Sequence, residues 1–209
     1  MTLQARELTC TRGERELFRS VALTLSAGDA LRIAGNNGAG KSSLLRILCG
    51  LTMPTTGVVS WEGVDIRQSR EQYCRQLTYI GHLSGIKDDL TACENVLMSA
   101  RIAGIRLDQK AALAALERMG LGAQADLPAR VLSQGQKKRV ALTRLQYANV
   151  APLWILDEPL AALDQDAQQH LTGMLNHHLE LRGMLVYTTH SEISLRARKK
   201  LTVTLDARC

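Results

Sequence analysis

Eight consecutive residues, Gly35-Asn36-Asn37-Gly38-Ala39-Gly40-Lys41-Ser42, have the types and spacing to hold a polyphosphate. They fit G-x-x-x-x-G-K-[ST], in which glycines let the backbone turn its N–H groups toward a phosphate and the following helix adds its positive N-terminus. Lys41 is expected to reach the β and γ phosphates of a nucleoside triphosphate, and Ser42 to place its hydroxyl on Mg²⁺. Ser43 extends the nucleotide-binding run, with its side chain expected to point elsewhere. A second element must hold the metal and prepare water for attack. Leu153-Trp154-Ile155-Leu156-Asp157-Glu158 supplies it, since a buried apolar strand ending in two carboxylates delivers them to its C-terminal edge, beside the loop. Asp157 is expected to hold Mg²⁺ through water and Glu158 to polarise the attacking water. A strand capped by a surface Asp-Glu pair would read the same in isolation; the loop upstream decides between the two.

These residues need particular elements to position them. The loop follows the apolar strand Leu31 to Ala34 and precedes an apolar helix running through Cys49, as its mechanism requires. The first 65 or so residues read as mostly β: Val21 to Leu25, Leu31 to Ala34, and an alternating strand bracketed by Gly57 and Gly63. From about Asp88 to Leu127 the pattern turns helical, with Leu113, Leu116 and Met119 on one face, Asp108 as an N-cap and Gly120 closing the run. The apolar stretches Leu153 to Leu156 and Met184 to Tyr187 are separated by a polar helical region. Short buried strands alternating with helices imply a parallel sheet in an α/β core.

At 209 residues the chain suits a single sizeable domain, 1–209, with no need of staples. Its five cysteines, Cys10, Cys49, Cys74, Cys93 and Cys209, form no CxxC pair, so zinc and redox readings lack their spacing and reduced thiols are expected. The N-terminus carries no secretion signal pattern, and no apolar run approaches the 18 residues of a membrane span. The net charge of +6 suits phosphates or an anionic membrane surface. Its basic groups, Lys137 to Arg139 and Arg196 to Lys200, lack interleaved aromatics for base stacking and read as solvated faces, so no nucleic-acid partner is expected.

Leu132-Ser133-Gln134-Gly135-Gln136 resembles the LSGGQ element of ATP-binding-cassette proteins, and the order of motifs around it matches that family along nearly the whole chain. Asp157-Glu158-Pro159 with Ala162-Leu163-Asp164 resembles the Walker B and D-loop pair, and Thr188-Thr189-His190 the switch histidine. The resemblance implies an α/β fold: a P-loop NTPase core with a mostly parallel sheet, an N-terminal antiparallel β subdomain and an inserted helical subdomain. Residues 1–81 and 151–209 would form the β-rich core, and about 82–150 the helical part. It also implies ATP hydrolysis with Mg²⁺ by a head-to-tail homodimer. Ser133, Gly135, Gln136 and Asp164 would then complete the nucleotide site of the partner, while Lys41, Glu158 and His190 carry the chemistry. A helix beginning near Gln136 would offer its free N–H groups as the anion site.

Three positions depart from the family pattern. Arg12 stands where most members stack an aromatic on adenine; stacking is worth about 1–3 kcal/mol, part of which a guanidinium recovers. His82 stands where the Q-loop glutamine is expected, and is assigned to the nucleotide and metal site. Gln134 replaces the first glycine of LSGGQ. Gly81-His82, with Gly85-Ile86-Lys87, Leu90-Thr91 and Glu94-Asn95, is similar to the haem-exporter ATPases of cytochrome c maturation. That similarity implies a peripheral subunit on the cytoplasmic face of the bacterial inner membrane, beneath integral membrane partners, with no direct haem binding; His82 serves the nucleotide site. A cassette for another cargo would look alike. Nucleic-acid cassettes insert coiled coils or zinc modules or run in tandem, and regulatory cassettes usually lack Glu158 or His190; this chain does neither.

Overall fold

The first strands form by alternation. In β1 (Thr2–Arg12), Leu3, Ala5, Leu8 and Cys10 turn inward, and the pattern survives a bulge where Glu7 takes a φ of 51°. β1 pairs antiparallel with β2 (Arg15–Ser26) on one side and β4 (Thr56–Trp61) on the other, and β5 (Val64–Asp65) completes a four-stranded sheet in the order β2-β1-β4-β5. These assignments come from a computed structural model that describes residues 1–147 and 151–205.

The second sheet is parallel throughout: β6 (Leu77–Ile80), β7 (Leu153–Leu156), β8 (Met184–Thr188), β3 (Ala30–Gly35) and β9 (Lys200–Leu205), in that spatial order. Every residue of β7 and β8 is buried, which is why their sequences read as continuous apolar runs, whereas edge strand β9 alternates. Side chains on one face, among them Leu153, Ile155, Met184 and Val186, pack with α1 (Lys41–Leu48) and the antiparallel sheet. The opposite face presents Trp154, Leu156, Leu185 and Tyr187 to a core shared by α3 (Ala92–Ile102), α4 (Gln109–Arg118), α5 (Gln134–Leu142) and α6 (Gln165–Glu180); a short α2 (Arg70–Cys74) precedes β6. His178 of α6 stacks on Trp154, its pKa pushed down to about 4 by burial, and so serves as a neutral core residue.

The helical stretch expected from about Asp88 to Leu127 holds two α-helices. Asp88 to Leu90 precede α3, which begins at a Thr91–Glu94 capping box, and Asp108 caps α4 by accepting from Ala111 N at 2.7 Å. Gly120, at φ 67°, ends it as expected. Helix α5 starts at Gln134, two residues before the expected point, because Ser133 is its cap. The helical region has no core of its own, since its buried residues continue into those of α6 and β7. Cys10, Cys49, Cys74 and Cys93 are free thiols; Cys209 and the ends of the expected boundaries, 148–150 and 206–209, lie outside the described residues.

Candidate nucleotide site

Strand β3 lies inside the parallel sheet, between β8 and β9, and releases the phosphate loop at its C-terminal end, where α1 begins. Gly40 caps that helix at φ 95°, a conformation that strains any residue with a Cβ, and Leu17 of β2 packs close above it. Lys41 Nζ donates to the carbonyls of Gly35 at 2.7 Å and Asn36 at 3.3 Å. The ammonium thus stands over the loop it must share with a phosphate. A cavity of about 640 Å³ opens here, lined by Asn37, Gly38, Gly40, Lys41, Ser42 and Ser43, by Asp157 and Glu158, and by His82 and His190. Ser43, expected to point elsewhere, lines the same space as Ser42. Gly35, Asn36 and Ala39 shape the loop from behind, with Ala39 buried and its N–H bonded to Asn36 O at 3.1 Å.

The carboxylates arrive from β7, two strands away from β3. Asp157 is buried, and Thr188 Oγ1, at the end of β8, donates to its Oδ1 at 2.7 Å while accepting from Glu158 N at 2.8 Å. Glu158 adopts a φ of 48°; this left-handed turn sends both neighbouring carboxylates to the cavity, which an extended strand would forbid. Asp157 Oδ2 and Glu158 Oε1 are buried acceptors without a hydrogen-bond partner among the described residues. Buried carboxylate oxygens in that condition are costly unless a ligand answers them. Ser42, Asp157 and a polyphosphate make a hard oxygen donor set of the kind Mg²⁺ takes. His190 Nε2 stands 3.5 Å from Glu158 Oε1, and the His190 side chain is 64% exposed, free to turn toward a ligand.

The structure brings most of the expected residues together and leaves others apart. Arg12 pairs with Arg15 at the exposed tip of the β1–β2 hairpin and is not among the residues lining the cavity, whereas Leu17, five residues on, is. Ser133, Gly135, Gln136 and Asp164 lie outside the cavity of their own chain, as a cross-subunit role requires. Ser133 Oγ accepts from Gln136 N at 3.2 Å and Gln136 Oε1 accepts from Ser133 N at 2.8 Å, closing a capping box. Asp164 caps α6 through Ala167 N at 2.9 Å. The sequence presents Thr188 only as part of the switch motif; its bridge from the Asp157 carboxylate to the Glu158 N–H becomes visible once β8 is known to lie beside β7. Ala161, also in the lining, had no sequence signal.

A phosphate loop on an inner parallel strand, paired carboxylates from the strand two places away and a histidine after the strand between them define a P-loop nucleoside triphosphatase. The ABC transporter family model matches residues 18–161, and the chain belongs to that family. It is an ABC-type ATPase. It is 50% identical over 194 residues to the cytochrome c biogenesis ATP-binding export protein CcmA of Nitrosospira multiformis, covering 93% of this chain and 94% of that one. The protein of the same name from Haemophilus influenzae is 44% identical over 201 residues, covering 96% and 94%. Among solved structures, the ATP-binding cassette MJ0796, in a dimeric post-hydrolysis state bound to ADP and Pi, superposes with a TM-score of 0.79 at 26% identity, covering 90% of this chain and 88% of that one. A Pyrococcus furiosus putative ABC transporter ATP-binding protein, at 20% identity and a TM-score of 0.81 over 98% of both chains, shares the fold.

Proposed function

We propose that this chain hydrolyses ATP to power an export step in cytochrome c biogenesis, working as a head-to-tail homodimer beneath integral membrane subunits. The observation that carries the hydrolytic part is the Thr188 bridge, which aims Asp157 and Glu158 into the cavity floored by the phosphate loop. The loop's N–H groups and Lys41 hold the phosphates, and Lys41 trades its loop carbonyls for phosphate oxygens. Glu158 accepts a proton from the attacking water, and His190 donates to the γ-phosphate from its exposed position. Bound Mg²⁺, held by Ser42 and by Asp157 through water, would draw charge from the phosphate oxygens. His82 lines the cavity near Ser42 and Asp157 and completes this edge.

Two halves on different chains make one site. Ser133, Gly135 and Gln136 of one protomer close on the γ-phosphate held by the other, and Asp164 lines the same seam. ATP favours the closed dimer by binding both halves, and loss of the γ-phosphate releases it. The region between residues 82 and 150 carries α5 and passes the movement to the membrane partner. Among the described residues no helix is long and apolar enough to cross a membrane, so attachment at the cytoplasmic face would come through that partner. The cargo reading, haem handled by the membrane chains rather than by this one, follows the names of the relatives and the Gly81-His82 run. Purification of the tagged protein from inner membranes with its partners identified tests it. Recovery with cytochrome c maturation proteins is expected; recovery with the permease of an unrelated transporter would overturn the cargo.

A further inference from the structure

Helix α5 also works inside its own chain, where it touches the segment after β7 at three points. A Cβ at Gly135 would press into the carbonyl oxygen of Ala162, so glycine is required there for close packing as well as for any contact with nucleotide. Arg139 Nη2 stands 3.7 Å from Asp164 Oδ2. Lys138 Nζ donates to the carbonyl of Asp157 at 3.3 Å.

The third contact is the least expected. Lys138 is only 5% exposed, and a buried ammonium is unfavourable unless it is answered by acceptors or negative charge. Burial pushes its pKa below the ordinary lysine range, with the Asp157 and Glu158 carboxylates acting in the opposite sense, so both carboxylates lie within its electrostatic reach. The segment it meets is also strained: Glu158 and Ala162 hold φ values of 48° and 62°, which persist only where the surroundings fix them. The Asp157 carbonyl and the Glu158 N–H belong to one peptide unit. Lys138 grips that unit by its oxygen and Thr188 by its nitrogen, from α5 on one side and β8 on the other. No neighbouring peptide is gripped by a side chain at both its oxygen and its nitrogen among the described residues.

We propose that Lys138 is a positioning residue for hydrolysis: with Thr188 it fixes the plane of the Asp157–Glu158 peptide, and so the aim of the Glu158 carboxylate, and it ties that aim to helix α5. This rests on the reading of Glu158 as the group that orients water. The N-terminus of α5 is the end that meets the partner's nucleotide, so closure of one site would be transmitted through a single helix to the carboxylates of the other.

The full-length protein carrying Lys138→Met, Lys138→Gln or Lys138→Arg separates donor, charge and bulk. Three readouts apply: ATP affinity, the split between kcat and KM, and amide hydrogen exchange without nucleotide. The amides of Ala161 and Leu163, bonded to Glu158 O and Leu160 O at 3.2 Å each, report on the segment. For Lys138→Met we expect kcat to fall about 10- to 100-fold, with KM and ATP affinity changed by no more than about threefold. Exchange should quicken at residues 158–163 and stay unchanged in β1 and β2. Lys138→Arg should recover most of the kcat, and Lys138→Gln, with a donor and no charge, should fall between; it also provides the comparison if Lys138→Met does not fold. Unchanged exchange at 158–163, or exchange quickened equally in β1 and β2, would overturn the proposal. So would a kcat loss matched by a KM increase. Normal turnover by Glu158→Gln would instead remove the role of Glu158, and the exchange result would still show whether Lys138 holds the peptide.

Discussion

The phosphate-loop edge and the N-terminus of α5 are both built from helix starts, yet they are left in opposite conditions. At the loop, among the described residues, Asp157 Oδ2 and Glu158 Oε1 are buried acceptors without a hydrogen-bond partner, and Lys41 is bonded to the loop's own carbonyls. At α5, Ser133 and Gln136 satisfy each other, and the helix start is exposed. The first region carries an ammonium that a triphosphate answers and carboxylate oxygens that a metal ion or a water accompanying it answers, whereas the second is settled without either. Recruitment of the second therefore has to come from the nucleotide. The capping box does not stand in the way: the Ser133 hydroxyl accepts from Gln136 N with a lone pair and keeps its proton to donate to a phosphate oxygen.

The largest way to break this contrast acts on the unmet groups. Lys41→Ala should abolish turnover together with ATP binding. Glu158→Gln should lower kcat by about 10²–10³ with ATP binding retained, since it removes the proton acceptor and leaves the loop intact. Steady-state hydrolysis alongside a nucleotide-binding titration checks both; near-normal turnover by Glu158→Gln would detach that residue from the chemistry. A smaller effect sharpens the comparison. Thr188→Val keeps the shape of β8 and removes the bridge from the Asp157 carboxylate to the Glu158 N–H, leaving buried groups unpaired at a cost of about 1–3 kcal/mol, or roughly 5- to 150-fold in kcat. Thr188→Ser should restore most of the rate. Equal rates for Val and Ser would show that the bridge does not aim the carboxylates.

The sequence is legible where one local rule suffices. The bounds of β7 and the start of β8 follow from apolar runs between turn residues, and the loop before α1 from its glycines and lysine. Asp108 and Gly120 marked the two ends of α4 through capping chemistry alone. Legibility fails where the outcome depends on what lies alongside. Thr188 and Lys138 bear on Glu158 only because β8 pairs with β7 and α5 packs behind it, and no spacing encodes that. The bulge at Glu7 shifts the alternation of β1 by one residue, and no strand over residues 2–12 is expected from the sequence. Arg12 follows from the family pattern, and its position at the exposed tip of the hairpin, with Leu17 at the cavity, depends on the hairpin register, which the sequence does not give. The start of α5 at Gln134 follows from the capping box of Ser133 and Gln136, residues whose types also suit a phosphate contact.

If α5 completes a site held by another chain, sedimentation of Glu158→Gln with and without ATP will show it. We expect monomer without nucleotide and dimer with ATP. Adding Ser133→Arg should return the protein to monomer while ATP binding persists, because bulk and positive charge would enter the seam but not the loop. A dimer that forms equally without ATP, or that survives Ser133→Arg, would contradict the account and place the completing half of the site elsewhere.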